Sequence, residues 1–245
     1  MVSKNRRTLL TSLQQKKYRY KYGLFIAEGL KVVKEFLNSS FELESLYVSE
    51  AGILDEFQVN ETLVSELTLK KISALTTPNK VLGVFKIRKP SPIVNTGLIV
   101  ALDGIRDPGN LGTIIRLCDW FGVEQLVCSK DTVDCYNPKV VQATMGSLIR
   151  VHVVYESIDV FLKQTKLPVF GAVMEGTPIY NTSLPKEGVL VLGNEANGIS
   201  SVVDALLDHK ITIPRFGKIQ ATESLNVSTA AAVILSEFRR STIQR

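Results

Sequence analysis

The chain has 245 residues, 45% hydrophobic and 22% charged, which is typical of a soluble globular protein and sufficient for one large domain or two modest ones. There is no stretch as long and apolar as a membrane span, no signal-peptide core, and no metal-site or disulfide spacing among the three cysteines and two histidines. The composition predicts a cytoplasmic protein that binds no metal and does not enter a membrane. Its net charge is +5, and the basic residues are unevenly distributed along the chain.

The first 27 residues concentrate this charge, with seven Lys or Arg residues and no Asp or Glu. The basic positions are Lys4, Arg6, Arg7, Lys16, Lys17, Arg19 and Lys21. Basic groups neutralise phosphates and release counterions, so we expect this set to contact nucleic-acid phosphates. Tyr18, Tyr20, Tyr22 and Phe25 are interleaved with them. These rings either stack on unpaired bases or anchor a solvated basic helix to the protein's own core.

A small α/β unit is predicted from residue 28 to about residue 88. Apolar periodicity predicts helices over 28–37 and 65–75 and strands over 43–49 and 81–87. The stretch RKPSPIVNTG then clusters Pro, Gly and Asn in the manner of a linker. We therefore predict an N-terminal domain over 1–92 and a C-terminal domain over 93–245.

The second domain opens with the segment LIVALDGIRDPGNLGTIIRLCDWFGVEQLVC. We predict strands over 98–102 and 125–128, and between them a helix over 111–121 for which Asn110 is a suitable N-cap. This order suits a nucleotide site, but the segment lacks both the GxGxxG fingerprint and the GK[ST] of a phosphate-binding loop. A nucleotide-dependent oxidoreductase is therefore disfavoured.

Further βα units follow along the chain. The predicted elements are strands over 151–154, 169–173, 189–192 and 211–213, a helix over 157–164, and a helix that begins after Asn137. The last two strand runs are short and continuously apolar, as in parallel sheets whose strands are buried on both faces. Each ends in Gly, Asn or Pro and so starts a loop at the carboxyl edge of the sheet, where ligands bind in open α/β folds.

Polar side chains crowd these loops. Asn194 and Glu195 follow strand 189–192, while Ser224 and Asn226 precede a helix with apolar residues at a spacing of three and four. Taken singly, Ser224 or Asn226 could cap that helix, and Glu195 could sit at the start of the helix after it. Their grouping at one sheet edge favours a functional site.

Three segments together carry a family resemblance. DPGNLGTIIR, then LGNEANGIS, then IP followed by ESLNVS resemble the three ordered motifs of SpoU-type (TrmH-like) RNA 2′-O-ribose methyltransferases of the SPOUT superfamily. Upstream, YGLFIAEGLKVV and TTPNKVLGVF are similar to the L30e-like α/β domain that holds RNA in many of these enzymes. The resemblance implies an α/β fold in which this smaller N-terminal domain precedes a parallel-sheet domain with a C-terminal trefoil knot. Gln142 stands where an Arg is common, and segment 217–222 is longer than usual.

The resemblance also implies S-adenosylmethionine as cofactor and a ribose 2′-hydroxyl of ribosomal or transfer RNA as methyl acceptor. The residues that match catalytic positions are Asn110, Arg116, Glu195, Ser224 and Asn226. Those that match cofactor-binding positions, largely through backbone groups, are Ala172, Gly193, Asn194, Ile213 and Leu225. The motifs contain no His or Cys to act as base, and Arg almost never loses its proton. We expect Arg116 to bind phosphate and stabilise the developing alkoxide, while a phosphate oxygen or water accepts the proton.

The family is dimeric through its knotted domain, so the resemblance implies a homodimer. Trp120 and Phe121 are adjacent and cannot both face one core, so one ring either meets a partner subunit or packs on the N-terminal domain. The main rival function is that of a non-catalytic RNA-binding protein that keeps the fold. The presence of all three motifs disfavours it.

Overall fold

The computed structural model describes residues 2–219 and 224–240 and divides into two compact units. The first comprises the chain up to Pro90 together with Asp134–Ile149, and the second comprises Ser91–Val133 and the chain from Arg150 onward. The division at residue 90 falls within the predicted linker. The functional domains 1–92 and 93–245 stay a prediction. Part of the unusually long segment 217–222 lies outside the described residues.

Helices and strands alternate through most of the chain. The helices are α1 (Lys4–Ser12), α2 (Lys16–Tyr22), α3 (Leu30–Leu37), α4 (Glu66–Ile72), α5 (Pro108–Trp120), α6 (Pro138–Thr144), α7 (Ile158–Gln164), α8 (Ser201–Asp204) and α9 (Val227–Arg240). The strands are β1 (Leu24–Glu28), β2 (Leu43–Val48), β3 (Glu61–Leu63), β4 (Val81–Lys86), β5 (Leu98–Asp103), β6 (Gln125–Cys128), β7 (His152–Tyr155), β8 (Val169–Pro178), β9 (Gly188–Gly193) and β10 (His209–Thr212).

The first unit is built on a four-stranded sheet in the order β1-β4-β2-β3. Strand β4 is antiparallel to β1 and β2, while β3 is parallel to β2. The helices and strands predicted between residues 28 and 88 are confirmed as α3, α4, β2 and β4, with slightly shorter bounds. Strand β1 was not predicted. All five of its residues are buried, so its sequence lacks the alternation that marks a half-exposed strand.

Arg19 belongs to this core, which corrects its prediction as a phosphate contact. The side chain is 1% exposed and donates from Nε to Asp134 Oδ2 at 2.8 Å and from Nη1 to the carbonyls of Leu13 and Gln14 at 2.9 Å each. Tyr20 donates its hydroxyl to the other oxygen of Asp134 at 3.0 Å. The pair therefore ties α2 to a residue more than a hundred positions away, and the guanidinium cannot reach RNA.

Removing one partner of this pair should destabilise the protein strongly. We expect Arg19→Met to lower the free energy of unfolding by about 3–5 kcal/mol, because Asp134 is then left buried without its cation. Urea denaturation followed by circular dichroism measures the change. The matched control is Lys80→Met, which breaks an exposed pair with Glu50 and should leave the free energy of unfolding nearly unchanged. Equal losses in the two variants would contradict a structural role for Arg19.

The second unit contains a six-stranded sheet in the order β10-β8-β9-β5-β6-β7. Every neighbouring pair is parallel, as predicted from the continuous apolar runs. The central strands β5 and β9 are buried along almost their whole length. Strand β8 continues to Pro178 instead of ending at residue 173, and its pairing with β10 is irregular between Lys210 and Ile211.

The N-terminus of α5 differs from the prediction. The helix begins at Pro108, and its N-cap is Asp107, whose Oδ1 accepts from the backbone N–H of Asn110 at 2.8 Å. Proline suits the first helical position because the N–H that it lacks would have no partner there. The cap is therefore the residue before Pro108, Asp107. Asn110 therefore does not cap the helix, and its side chain is free to make other contacts.

Candidate active site

The candidate site lies at the carboxyl edge of the parallel sheet. Strand β9 ends at Gly193, β5 ends at Asp103, and the segment just before α9 reaches the same region. Loops from neighbouring parallel strands meet at this edge, and ligands of open α/β sheets bind there.

Gly193 is required by a close approach of two backbone segments. A Cβ at this position would lie 2.2 Å from the carbonyl carbon of Gly198 and 2.3 Å from the nitrogen of Ile199, inside any allowed contact distance. The loop returns this closely because Asn194 and Gly198 exchange backbone hydrogen bonds of 2.9 Å. A side chain at position 193 would therefore displace the whole loop 194–198.

Asn194 fixes that loop to the end of the neighbouring strand. Its Nδ2 donates to the carbonyl of Gly104 at 2.6 Å, and its Oδ1 accepts from the backbone N–H groups of Ala196 and Asn197 at 3.0 Å. The side chain thus orders the backbone that lines the site.

Glu195 receives hydrogen bonds on both carboxylate oxygens. Oε1 accepts from Asn110 Nδ2 at 3.0 Å and from the backbone N–H of Asp107 at 3.2 Å, while Oε2 accepts from the backbone N–H of Arg106 at 3.3 Å. Burial alone would raise the pKa of Glu195, but these donors outweigh it and hold the pKa below its ordinary value. A carboxylate held in this way is a weak base and a firm anchor for its donors.

Asn226 extends the network to the last helix. Its Nδ2 donates to Asn110 Oδ1 at 2.9 Å, and its own Oδ1 caps α9 by accepting from the backbone N–H groups of Ser228 and Thr229 at 2.9 and 3.3 Å. Asn226 therefore both caps the helix and belongs to the site. The hydrogen bonds Glu195–Asn110 and Asn110–Asn226 thus connect side chains from all three motifs. Asn110 lies 85 positions from Glu195 and 116 positions from Asn226.

A cavity of about 1160 Å³ lies beside this hydrogen-bond network. All five predicted cofactor-binding residues line it, together with Glu195, Ser224 and Asn226. The residues from Ala172 to Met174 line the cavity from within strand β8, which is longer than predicted. A pocket lined by small and apolar strand ends with a few polar groups has room for a nucleoside-sized ligand.

Within one chain, Arg116 makes no hydrogen bond to the described residues of this network. It lies on an exposed face of α5 and makes no hydrogen bond or ion pair with the described residues. It is also absent from the described lining of the cavity. Its predicted role thus requires a group that approaches α5 from outside.

Sequence reasoning missed two features of the site. Asp107 was overlooked as the cap of α5, although the Asp-Pro pair is a recognisable start of a helix. The segment after β10 places Arg215, Phe216 and Lys218 in the cavity wall, and a basic and aromatic stretch directly after the Ile-Pro of the motif could have drawn attention to it.

The remaining basic residues of the first 27 differ in availability. Lys4, Lys16, Lys17 and Lys21 are exposed on the surface. Arg6 is partly engaged within the fold, because it forms an ion pair with Glu44 and donates from Nε to the Tyr47 hydroxyl at 2.7 Å. Arg7 is half-buried.

The described parts of the chain contain neither a candidate metal-binding cluster nor a helix that could cross a membrane. Within residues 2–219 and 224–240, no group of three or more His, Cys, Asp or Glu side chains has an arrangement that could hold a metal ion. Among the helices of these same ranges, none has the length and apolar character needed to cross a membrane.

Comparison with known proteins gives a consistent result. The sequence profile of the SpoU rRNA Methylase family matches residues 97–236, and that of the MRM3-like substrate binding domain matches residues 8–83. The chain is 27% identical over 234 residues to the Bacillus subtilis 23S rRNA (guanosine(2553)-2′-O)-methyltransferase RlmP, covering 93% of each chain.

Solved structures agree over the full length. A TrmH-family protein from Porphyromonas gingivalis superposes with a TM-score of 0.90 at 36% identity, covering 98% of this chain and 99% of that one. An AdoMet-bound rRNA methyltransferase from Sinorhizobium meliloti gives a TM-score of 0.86 at 28% identity, covering 100% and 98%.

Proposed function

The chain belongs to the SpoU rRNA Methylase family, and we propose that it is an S-adenosylmethionine-dependent methyltransferase that modifies ribose 2′-hydroxyls of ribosomal RNA. One observation carries the proposal: hydrogen bonds among Glu195, Asn110 and Asn226 join three separate motifs beside a cavity of about 1160 Å³. A non-catalytic RNA-binding protein has no need of such an arrangement. Ribosomal RNA is favoured over transfer RNA because RlmP, which matches over 93% of its length, is named for that substrate.

S-adenosylmethionine fits the residues that line the cavity. The backbone approach at Gly193 leaves no room for a Cβ, and the strand ends contribute small or apolar residues such as Ala172 and Ile213. Backbone groups at such positions can hold the edge of an adenine ring and the polar ends of the methionine part. When bound, the cofactor supplies an electrophilic methyl group on its sulfonium.

The protein residues then align the acceptor and assist loss of its proton. Glu195 acts as an anchor, since its depressed pKa and occupied oxygens make it a poor base. It positions Asn110 and, through it, Asn226 at the start of α9. Arg116 holds the RNA phosphate and stabilises the developing alkoxide with its planar set of donors, and a phosphate oxygen or water takes the proton. Ser224 is exposed on the cavity wall, and in this proposal its side chain contacts the ribose.

The proposed working unit is a cytoplasmic homodimer whose C-terminal domain carries a trefoil knot. Trp120 at the end of α5 is 83% exposed while Phe121 is half-buried, which supports contact of the tryptophan with a partner. The position of Arg116 on an exposed face of α5 supports its use in the site of a second subunit. A closed two-fold pair is the commonest arrangement of soluble oligomers.

The direct test of the function uses ribosomal RNA from cells that lack the gene. The full-length chain, given S-adenosylmethionine with a tritiated methyl group, should label this RNA at a position that then resists alkaline cleavage, because a 2′-O-methyl group blocks attack by that oxygen. Transfer RNA from the same cells is the comparison substrate. Calorimetry that finds no cofactor binding to the folded protein would favour the non-catalytic alternative.

The exposed lysines of α2 should contribute to RNA affinity through charge alone. We expect Lys16, Lys17 and Lys21, changed together to Gln, to reduce the slope of log affinity against log salt by roughly 2–3. The matched control is the triple change of Lys163, Lys166 and Lys186 to Gln, which removes exposed lysines of the second unit. Filter binding at several salt concentrations measures both slopes. An unchanged slope in the α2 variant would show that these lysines serve only as a solvated surface.

A further inference from the structure

Two aromatic rings lie exposed near the rim of the cavity. Phe216 is 82% exposed and Tyr180 is 47% exposed, and their ring centroids are 6.5 Å apart with planes inclined by 36°. Phe216 lines the cavity, while Tyr180 lies in a short 3-10 turn, Ile179–Asn181, directly after β8. The rings therefore form a small aromatic surface beside the proposed methyl-transfer site.

The exposure of Phe216 is unusual within this protein. All ten phenylalanines lie in the described ranges, and the other nine are buried or half-buried. An exposed benzyl group forgoes the stabilisation of about 1.5–3 kcal/mol that burial of such a side chain gives. Exposed apolar groups that cluster at a cleft commonly mark a binding surface.

The surroundings of Phe216 indicate a ligand that carries negative charge. Arg215 and Lys218 flank it on the same segment and also line the cavity. The cavity, at about 1160 Å³, exceeds the usual range for one small ligand, roughly 300–1000 Å³. It therefore has room for part of a second molecule beside the cofactor.

We propose that Phe216 and Tyr180 form the surface on which the base of the target nucleotide stacks, with Arg215 and Lys218 beside its phosphates. This inference rests on the proposed function. Sequence-specific recognition of RNA chiefly uses unstacked bases in single-stranded regions, and such a base gains a stacking partner on an aromatic surface. Aromatic rings stack on any of the four bases, so the two rings position the target nucleotide without selecting which base it carries.

The first experiment measures kinetics with the full-length protein. Phe216→Ala should raise KM for RNA about tenfold to a hundredfold, the usual effect of losing one stacking partner. Its Kd for S-adenosylmethionine should stay within about twofold. Phe216→Trp should restore KM, because another flat ring replaces the lost one. Val202→Ala, which trims an exposed apolar side chain elsewhere in the second unit, is the control and should change nothing.

The second experiment requires no catalysis. RNA with 5-iodouridine in place of uridine is irradiated with the protein, and mass spectrometry locates the cross-linked residues. Cross-links at Phe216 or Tyr180 are expected even if no methyl transfer occurs. The experiment therefore tests the stacking surface independently of the proposed function. Normal methylation together with a normal KM for Phe216→Ala would overturn the stacking surface alone. A loss of cofactor affinity in that variant would assign the ring to the cofactor, and a change from dimer to monomer in light scattering would assign it to a subunit interface; either result overturns the proposal.

Discussion

Replacing Arg116 with Ala should reduce methyl transfer by roughly 10²–10³-fold, the usual effect of removing a donor to a developing oxyanion. The loss should appear in turnover, with Kd for S-adenosylmethionine nearly unchanged, because Arg116 is absent from the described wall of the cavity. The variant should also keep its stability, since the side chain is exposed and makes no hydrogen bond or ion pair within the described residues. Single-turnover kinetics and thermal denaturation measure the two properties separately.

Arg116→Lys is the matched control for charge. Lysine keeps the positive charge but replaces a planar fork of five N–H donors with a point charge on a flexible stem. We expect the Lys variant to recover little activity. Near-normal turnover of the Lys variant would show that Arg116 contributes charge only, and the geometric role given to its guanidinium would then be wrong.

The parallel sheet could be predicted because its signal is local. Strands β5 and β9 are continuous apolar runs bounded by Gly or Asn, and such runs are buried on both faces wherever they pair. The start of α5 is equally local, yet its predicted cap was wrong because two polar residues compete. Asp107 captures the backbone N–H of Asn110, so the residue that appeared to be the cap became part of the site instead.

The role of Arg19 could not be predicted, because its partner is distant in sequence. Asp134 lies 115 positions away, and nothing in the basic N-terminal segment indicates that one of its seven cations is buried. The contact between Asn110 and Asn226 spans 116 positions and was likewise beyond any periodicity argument. Only the family resemblance indicated that Asn110 and Asn226 belong to one site, and it did not give the hydrogen bond between them.

Gly193→Val should weaken cofactor binding strongly, because the added side chain displaces the loop that lines the cavity. The added carbon would meet the backbone of Gly198 and Ile199, so loop 194–198 must move and carry Asn194 and Glu195 away from Gly104 and Asn110. Calorimetry with S-adenosylmethionine measures the change.

Gly217→Ala is the matched control for this variant. Gly217 also lines the cavity, but a Cβ there meets no described atom within 4 Å, so its cofactor affinity should be unchanged. Equal losses in both glycine variants would show that the cavity wall is sensitive to any added carbon, and the specific role of the Gly193 backbone approach would be refuted.

The two deficient variants together test how the site is shared between subunits. If Arg116 of one chain serves the 193–226 loops of the other, a mixed dimer of Arg116→Ala and Gly193→Val contains one site with both elements intact and one with neither. Random exchange makes half of the dimers mixed, so about one quarter of wild-type activity should return, provided that the pair is a closed two-fold dimer. If each site lies within one chain, every site in the mixture keeps one defect and no activity returns. Light scattering and mass spectrometry of the exchanged sample establish that mixed dimers are present, so that an inactive mixture would assign Arg116 to its own chain.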